Sequence, residues 1–228
     1  MKTITILSSL FLVVLFAAME VNGQSRFNLH AGASMPLSDY KSDDINDENA
    51  GGAGIGFSTG VQYSYQLTET GLGLFLGFDF MISGYQDDFK NEVTDLYESL
   101  LGLTSADYTW PKLYNLPLTG GLNILYDINE QVAFFANGGI AINFFKSSDF
   151  VIKTGYGTIR AKTDLANSIG FKIGGGIVIN DKVSILVDYF GLGKHDLNSE
   201  VKITGSSPEK FDGEQKIDMI NLSLGLYF

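Results

Sequence analysis

The sequence predicts an all-β chain, a single transmembrane eight-stranded antiparallel up-and-down β-barrel with long extracellular loops. Three observations predict it. Apolar residues alternate with polar residues or glycine in eight stretches, many of about 10–14 residues, longer than most soluble strands and suited to a tilted bilayer crossing. The connections alternate long and short along the chain, so in a meander every short turn falls at the end that holds both termini. The chain also closes on "INLSLGLYF", an apolar alternation that runs to an aromatic last residue. A soluble barrel or sandwich alternates too, but the polar second face here would make a poor soluble core.

The first segment stands outside the fold. "MKTITILSSLFLVVLFAAMEVNG" has a basic start at Lys2, an apolar run from Leu10 to Ala18 and small or modest residues at Val21 and Gly23. This is the layout of a secretory signal peptide over residues 1–23, too short to span as a helix. Cleavage after Gly23 leaves Gln24 first, and residues 24–228 form the barrel domain. The chain has no cysteine, which excludes a lipid-modified cysteine, disulfides and thiolate metal sites. A formal net charge of −11, with 15 Lys and Arg against 26 Asp and Glu, argues against nucleic acid or an anionic surface as partner.

The strands follow in order. The first carries Phe27, Leu29, Ala31 and Ala33 on one face and His30 on the other. The second carries Ile55, Phe57, Val61, Tyr63 and Tyr65 opposite Gln62 and Ser64, and the third carries Leu72, Leu74, Leu76, Phe78 and Phe80 opposite Asp79. In the fourth, Tyr114, Leu116, Leu118, Leu122 and Ile124 oppose Asn115 and Asn123, with Pro117 predicting a bulge or a strand end because it lacks a ladder donor. The fifth sets Val132, Phe134, Ile140 and Ile142 against Asn137 and Asn143. The sixth sets Ile169, Phe171, Ile173 and Ile177 against Lys172 and Gly174–Gly176, which suit close packing or a bend. The seventh has Val183, Ile185, Val187 and Tyr189 opposite Asp188. The last has Ile220, Leu222, Leu224, Leu226 and Phe228 opposite Asn221. Tight turns are expected at Thr68–Thr70, Ile128–Gln131 and Asn180–Lys182, and long loops at roughly 37–53, 86–112, 146–164 and 193–214. Tyr63, Tyr65, Tyr126 and Phe228 at the turn end, and Tyr85, Trp110, Tyr114, Phe144 and Tyr189 at the loop end, read as interfacial girdles.

The polar face predicts an inward network of His30, Gln62, Asp79, Asn123, Asn137, Lys172, Asp188 and Asn221. Charges in so narrow a lumen must pair and hydrogen-bond. They either plug the interior or line a path for small ions or solutes. His195, in "GKHDLNSE", is expected to open the last long loop beside Asp196 and Ser199. No nucleophile motif surrounds it, so no catalytic residue is assigned, and an outer-leaflet lipid-modifying enzyme is a remote alternative. The first loop gathers Asp39, Asp43, Asp44, Asp47 and Glu48 but lacks the spacing of a calcium hand, so a solvated acidic loop is expected and neither metal nor cofactor. The second loop holds the one helical pattern, with Phe89, Val93, Leu96, Leu100 and Leu103 at steps of four and three, read as a lid on the barrel mouth.

"LHAGASMPLSDY", "LYNLPLTGGLNILYDINEQVAFFANGGIAI" and "GGGIVINDKVSILVDYF" resemble the small eight-stranded outer-membrane β-barrel proteins common in Bacteroidetes, the porin family, kin to the barrel domains of OmpA and OmpX. The resemblance implies a cleaved leader, an outer-membrane location and a monomer surrounded by outer-membrane lipid. It also implies that Ile220, Leu222, Leu224, Leu226 and Phe228 resemble the signal read by the barrel-insertion machinery. The expected role is non-enzymatic: stabilising the envelope, or presenting outer loops to an extracellular ligand or protein. A narrow porin-like channel is the alternative.

Overall fold

The computed structural model describes residues 25–102 and 106–228. The expected signal peptide and Leu103 lie outside the described residues. Eight long strands build the barrel: β1 (Ser25–Leu37), β2 (Gly56–Gln66), β3 (Leu72–Ser83), β5 (Leu113–Asn129), β6 (Val132–Ser147), β9 (Ala166–Ile179), β10 (Val183–Ile203) and β11 (Glu209–Tyr227). Three short ones, β4 (Asp107–Thr109), β7 (Phe150–Thr154) and β8 (Gly157–Thr163), belong to the loop end. The order is β11-β1-β2-β3-β5-β6-β9-β10, and β10 pairs β11 as well, so every long strand has two antiparallel neighbours in a ring.

The last residue takes part in that closure. β1 meets β11 from Asn28 opposite Tyr227 to Leu37 opposite Asp218. The Phe228 amide donates to the Phe27 carbonyl at 2.8 Å, and the Phe27 amide donates back to Phe228 at 3.2 Å. A barrel leaves no strand edge in the bilayer, where an unpaired backbone group costs several kcal/mol, on the order of 4–8.

The period of two decides which side chains meet lipid. Leu74, Leu122, Ile142, Ile173 and Leu224 are exposed on the outside, and Phe78 is half-buried there. The turns keep the predicted places. Asn180 and Asp181 have φ of 51° and 56°, the two left-handed residues of a tight hairpin whose twist suits its strands.

Four expectations need correction. The third and fourth loops are largely strand: β10 runs to Ile203 and β11 starts at Glu209, so a hairpin rises above the barrel, and β8, β7 and β4 add to its β10 side. Water bathes both faces of most of that hairpin, so its sequence has no apolar alternation to reveal it. Pro117 makes neither a bulge nor a strand end. The β3–β5 register is the same on either side of it (Phe78 with Leu118, Met81 with Asn115), the ladder between is interrupted, and Pro117 stays opposite Asn143 on β6. A missing donor on one side breaks one ladder and spares the other. Tyr85 and Trp110 are not girdle residues, because they pack on each other and on Phe89 at the barrel mouth. The loop helix, Asp87–Leu101, ends on Gly102 at φ 60°, but its inward stripe is Phe89, Val93 and Tyr97, while Leu96 and Leu100 are exposed.

Candidate functional site

Each of the eight inward polar residues is buried inside the ring, none more than 7% exposed. Four of them form an ionic set. His30 Nε2 lies 2.8 Å from Asp79 Oδ1, and its Nδ1 lies 3.1 Å from Asn28 Oδ1. The Lys172 ammonium is 3.2 Å from Asp188 and 4.0 Å from Asp79, and it sits 5.1 Å over the Phe190 ring. Four different strands supply these groups, so the set ties β1, β3, β9 and β10 across the lumen. Glycine makes the room. A Cβ on Gly60 would stand 2.5 Å from Asp79 and 2.6 Å from His30, and one on Gly174 would stand 1.8 Å from Asp188. Gly174 therefore clears space for a carboxylate.

The remaining members lie around this set. Asn221 sits opposite Asp188 on the neighbouring strand, Asn137 opposite Gly174, and Asn123 opposite Asn137. Gln62 donates to Ser64 at 3.3 Å. Asp79 Oδ2, Asp188 Oδ1, Gln62 Oε1, Asn123 Oδ1 and both amide atoms of Asn137 are buried without a hydrogen-bond partner in the protein. Buried polar atoms of this kind are the sites that interior water serves.

Apolar clusters flank the polar layer on both sides. Toward the turns, Leu125, Ala133, Phe135, Val178 and Leu186 pack together with Tyr227. Toward the loops, Met81, Phe145, Phe190, Leu192, Ile217 and Met219 pack around Tyr40 and Ala53. The order is visible along β10, whose inward residues run Leu186, Asp188, Phe190. Tyr40 comes from a helical turn, Ser38–Lys41, that the first loop folds into the barrel, and its hydroxyl accepts from Asn115 at 3.2 Å. The void at the turn end among Gln62, Asn123, Leu125, Phe135 and Tyr227 is about 10 Å³, the size of one water.

His195 is a strand residue of β10, fully buried, and not the start of a loop. Its Nε2 lies 3.0 Å from the Asn143 amide, which also donates to Asn115 at 2.8 Å. The Ser199 hydroxyl bonds Thr163 at 3.1 Å instead. The structure therefore does not join His195 with a serine and an acid. In the acidic first loop, Asp43, Asp44, Asp47 and Glu48 are exposed and Asp39 is half-buried. Asp44 and Asp47 each accept from the backbone and side-chain amides two residues on, Asn46 and Asn49. The Asn46 backbone amide, followed by its side chain, holds the Asp44 carboxyl below its ordinary range. Among the described residues no three His, Asp or Glu side chains converge as metal ligands.

The mouth holds a feature that the sequence did not predict. A cavity of about 300 Å³ opens between the loops, walled by Tyr85, Phe89, Val93, Tyr97, Trp110 and Phe150. Ala50 and Gly51 reach it from the first loop, Ser147, Ser148, Ala161 and Thr163 from the third, and Gln215 from the last. Tyr85 stacks on Phe89 with ring centroids 5.5 Å apart, and Trp110 meets Phe150 at 4.9 Å. Burial pushes the Tyr85 hydroxyl up to about 12, so it stays neutral. The signal was present in the spacing of Phe89, Val93 and Tyr97, one helical face with an aromatic at each end.

No protein-family model matches the chain, and no curated protein matches it in sequence. Solved structures share its fold. The outer membrane protein OprG from Pseudomonas aeruginosa is similar with a TM-score of 0.53 at 13% identity, covering 90% of this chain and 96% of OprG. A major outer membrane protein from Thermus thermophilus is similar with a TM-score of 0.50 at 15% identity, covering 90% of this chain and 98% of that one. The fold is that of small outer-membrane β-barrel proteins.

Proposed function

We propose that this chain is a sealed, non-enzymatic barrel of the outer membrane whose function resides in the surface its outer loops present. One observation carries the reading: the ionic layer of His30, Asp79, Lys172 and Asp188 is enclosed between two apolar clusters. A hydrated ion would have to displace Tyr40, Phe190 and Met219 on one side and Phe135 and Leu186 on the other. Dehydrating an ion instead costs on the order of tens of kcal/mol in a medium of low dielectric. The polar network is then a plug that fixes strand positions.

The chain reaches this location through a leader at residues 1–23, and the Ile220–Phe228 alternation engages the insertion machinery of a Gram-negative envelope of the Bacteroidetes type. The protein acts as a monomer, and the partner it meets is an extracellular ligand or protein at the loop end. A liposome-swelling assay tests the sealed lumen. Proteoliposomes should swell in a pentose solution no faster than protein-free vesicles, and swelling that scales with the amount of protein would instead favour the channel reading.

A further inference from the structure

We infer that the cavity at the mouth is a binding site for a neutral saccharide unit, an assignment that rests on the surface-binding reading above. Charge narrows the ligand class first. The first loop places Asp43, Asp44, Asp47 and Glu48 in solvent, and the loop helix exposes Asp87, Asp88, Glu92 and Asp95. Among the described residues, none that lines the cavity is charged. A hollow whose lining carries no cationic side chain gives an anion no charge partner there. It also supplies no counter-ion within the hollow for a cation.

The lining separates neutral ligands further. Gln215 spends its side-chain N–H groups on the carbonyls of Asn49 and Lys216, and Ser148 accepts from the Lys112 amide. Those bonds leave the Gln215 side-chain carbonyl able to accept and the Ser148 hydroxyl able to donate at the cavity border. A purely apolar solute would use neither, and a site built with such groups discriminates against ligands that cannot use them. A sugar ring uses both sets. Its C–H face covers an aromatic ring such as Trp110 or Tyr97, and its edge hydroxyls reach the hydroxyl and amide rim. The cavity volume of about 300 Å³ is at the lower end of small-molecule pockets and suits one or two sugar rings. All four outer loops contribute walls, so the site exists only in the folded barrel.

Trp110 is the chain's one tryptophan and lies in the wall, so its emission reports occupancy directly. The folded full chain, in amine-oxide micelles rather than a sugar-headed detergent, is titrated with glucose, galactose, N-acetylglucosamine and lactose. The inference predicts a saturable shift in Trp110 emission with at least one of them. It predicts that Tyr97→Ala, which keeps Trp110, weakens that response about tenfold. Gln215→Leu should weaken it as well, and heat-modifiable migration on unboiled gels confirms that each variant is folded. No saturable response up to about 100 mM overturns the inference, since such weakness is no specific site. A response to toluene with none to any sugar overturns it too. Failure is separable from failure of the parent reading: a barrel silent to sugars that still does not leak solutes loses only the saccharide, whereas a leaking barrel loses the sealed lumen.

Discussion

Lys172 is the residue on which the interior charge balance turns. It is 1% exposed, between Asp188 at 3.2 Å and Asp79 at 4.0 Å. Replacing it with methionine keeps the volume and leaves two carboxylates facing a single imidazole. Breaking a buried ion pair by removing one partner costs about 3–5 kcal/mol, so Lys172→Met should lower the unfolding free energy in lipid by that much in a urea titration. The double variant Lys172→Met/Asp188→Leu should recover a substantial part of the loss, because it removes the orphaned charge. If the double variant is no more stable than the single one, the two residues do not act as a pair. On the opposite face the size of the effect comes from the bilayer. Ile173→Arg places a charge among lipid tails and should cost about 2–4 kcal/mol. Were Ile173→Arg neutral and Asn137→Arg ruinous, the two faces would be inverted.

Among the strands, the distinction is between segments inside the bilayer and those above it. Below the Gly191–Gly193 irregularity, β10 alternates outward Val183, Ile185 and Val187 with inward Ser184, Leu186 and Asp188, and this half was legible because lipid and lumen demand different chemistry. Above it, "HDLNSEVKI" anchors at buried His195 and then serves a hairpin largely in water, held mainly by backbone pairing with β11 and β8. Sequence periodicity carries no trace of such pairing. The first-loop plug was illegible for a different reason. One tyrosine, Tyr40, finds its partner Asn115 75 positions away, and nothing local marks that contact. Likewise Asp79, Lys172 and Asp188 could be grouped from their shared face, but the His30–Asp79 bond required the barrel register. Because the hairpin is peripheral, replacing residues 196–214 with a short glycine-serine turn should leave heat-modifiable migration intact. Loss of the folded band would show that the hairpin is needed for closure.

For the molecule as a whole, the ring closes along the β1–β11 ladder, from Leu37 opposite Asp218 to Asn28 opposite Tyr227, and Phe228 adds the last two hydrogen bonds, to Phe27. Deleting Phe228 removes two backbone hydrogen bonds and a ring contact at 6.5 Å between centroids, small losses for a barrel already closed. In detergent the truncated chain should refold nearly as well as the full chain. On the proposal that the insertion machinery reads the terminal aromatic, its outer-membrane level in cells should fall sharply. Equal levels in cells would remove Phe228 from that signal.

Everything proposed for the outer surface presumes a closed lumen, and single-channel recording in planar bilayers decides whether it is closed. The full barrel, inserted and verified as folded, should give no discrete conductance steps in molar potassium chloride, and Lys172→Met should stay silent because both apolar clusters remain. Reproducible unitary steps from the unaltered protein, changed in size by substitutions at Asp79, Lys172 or Asp188, would show instead that the ionic layer lines an open path.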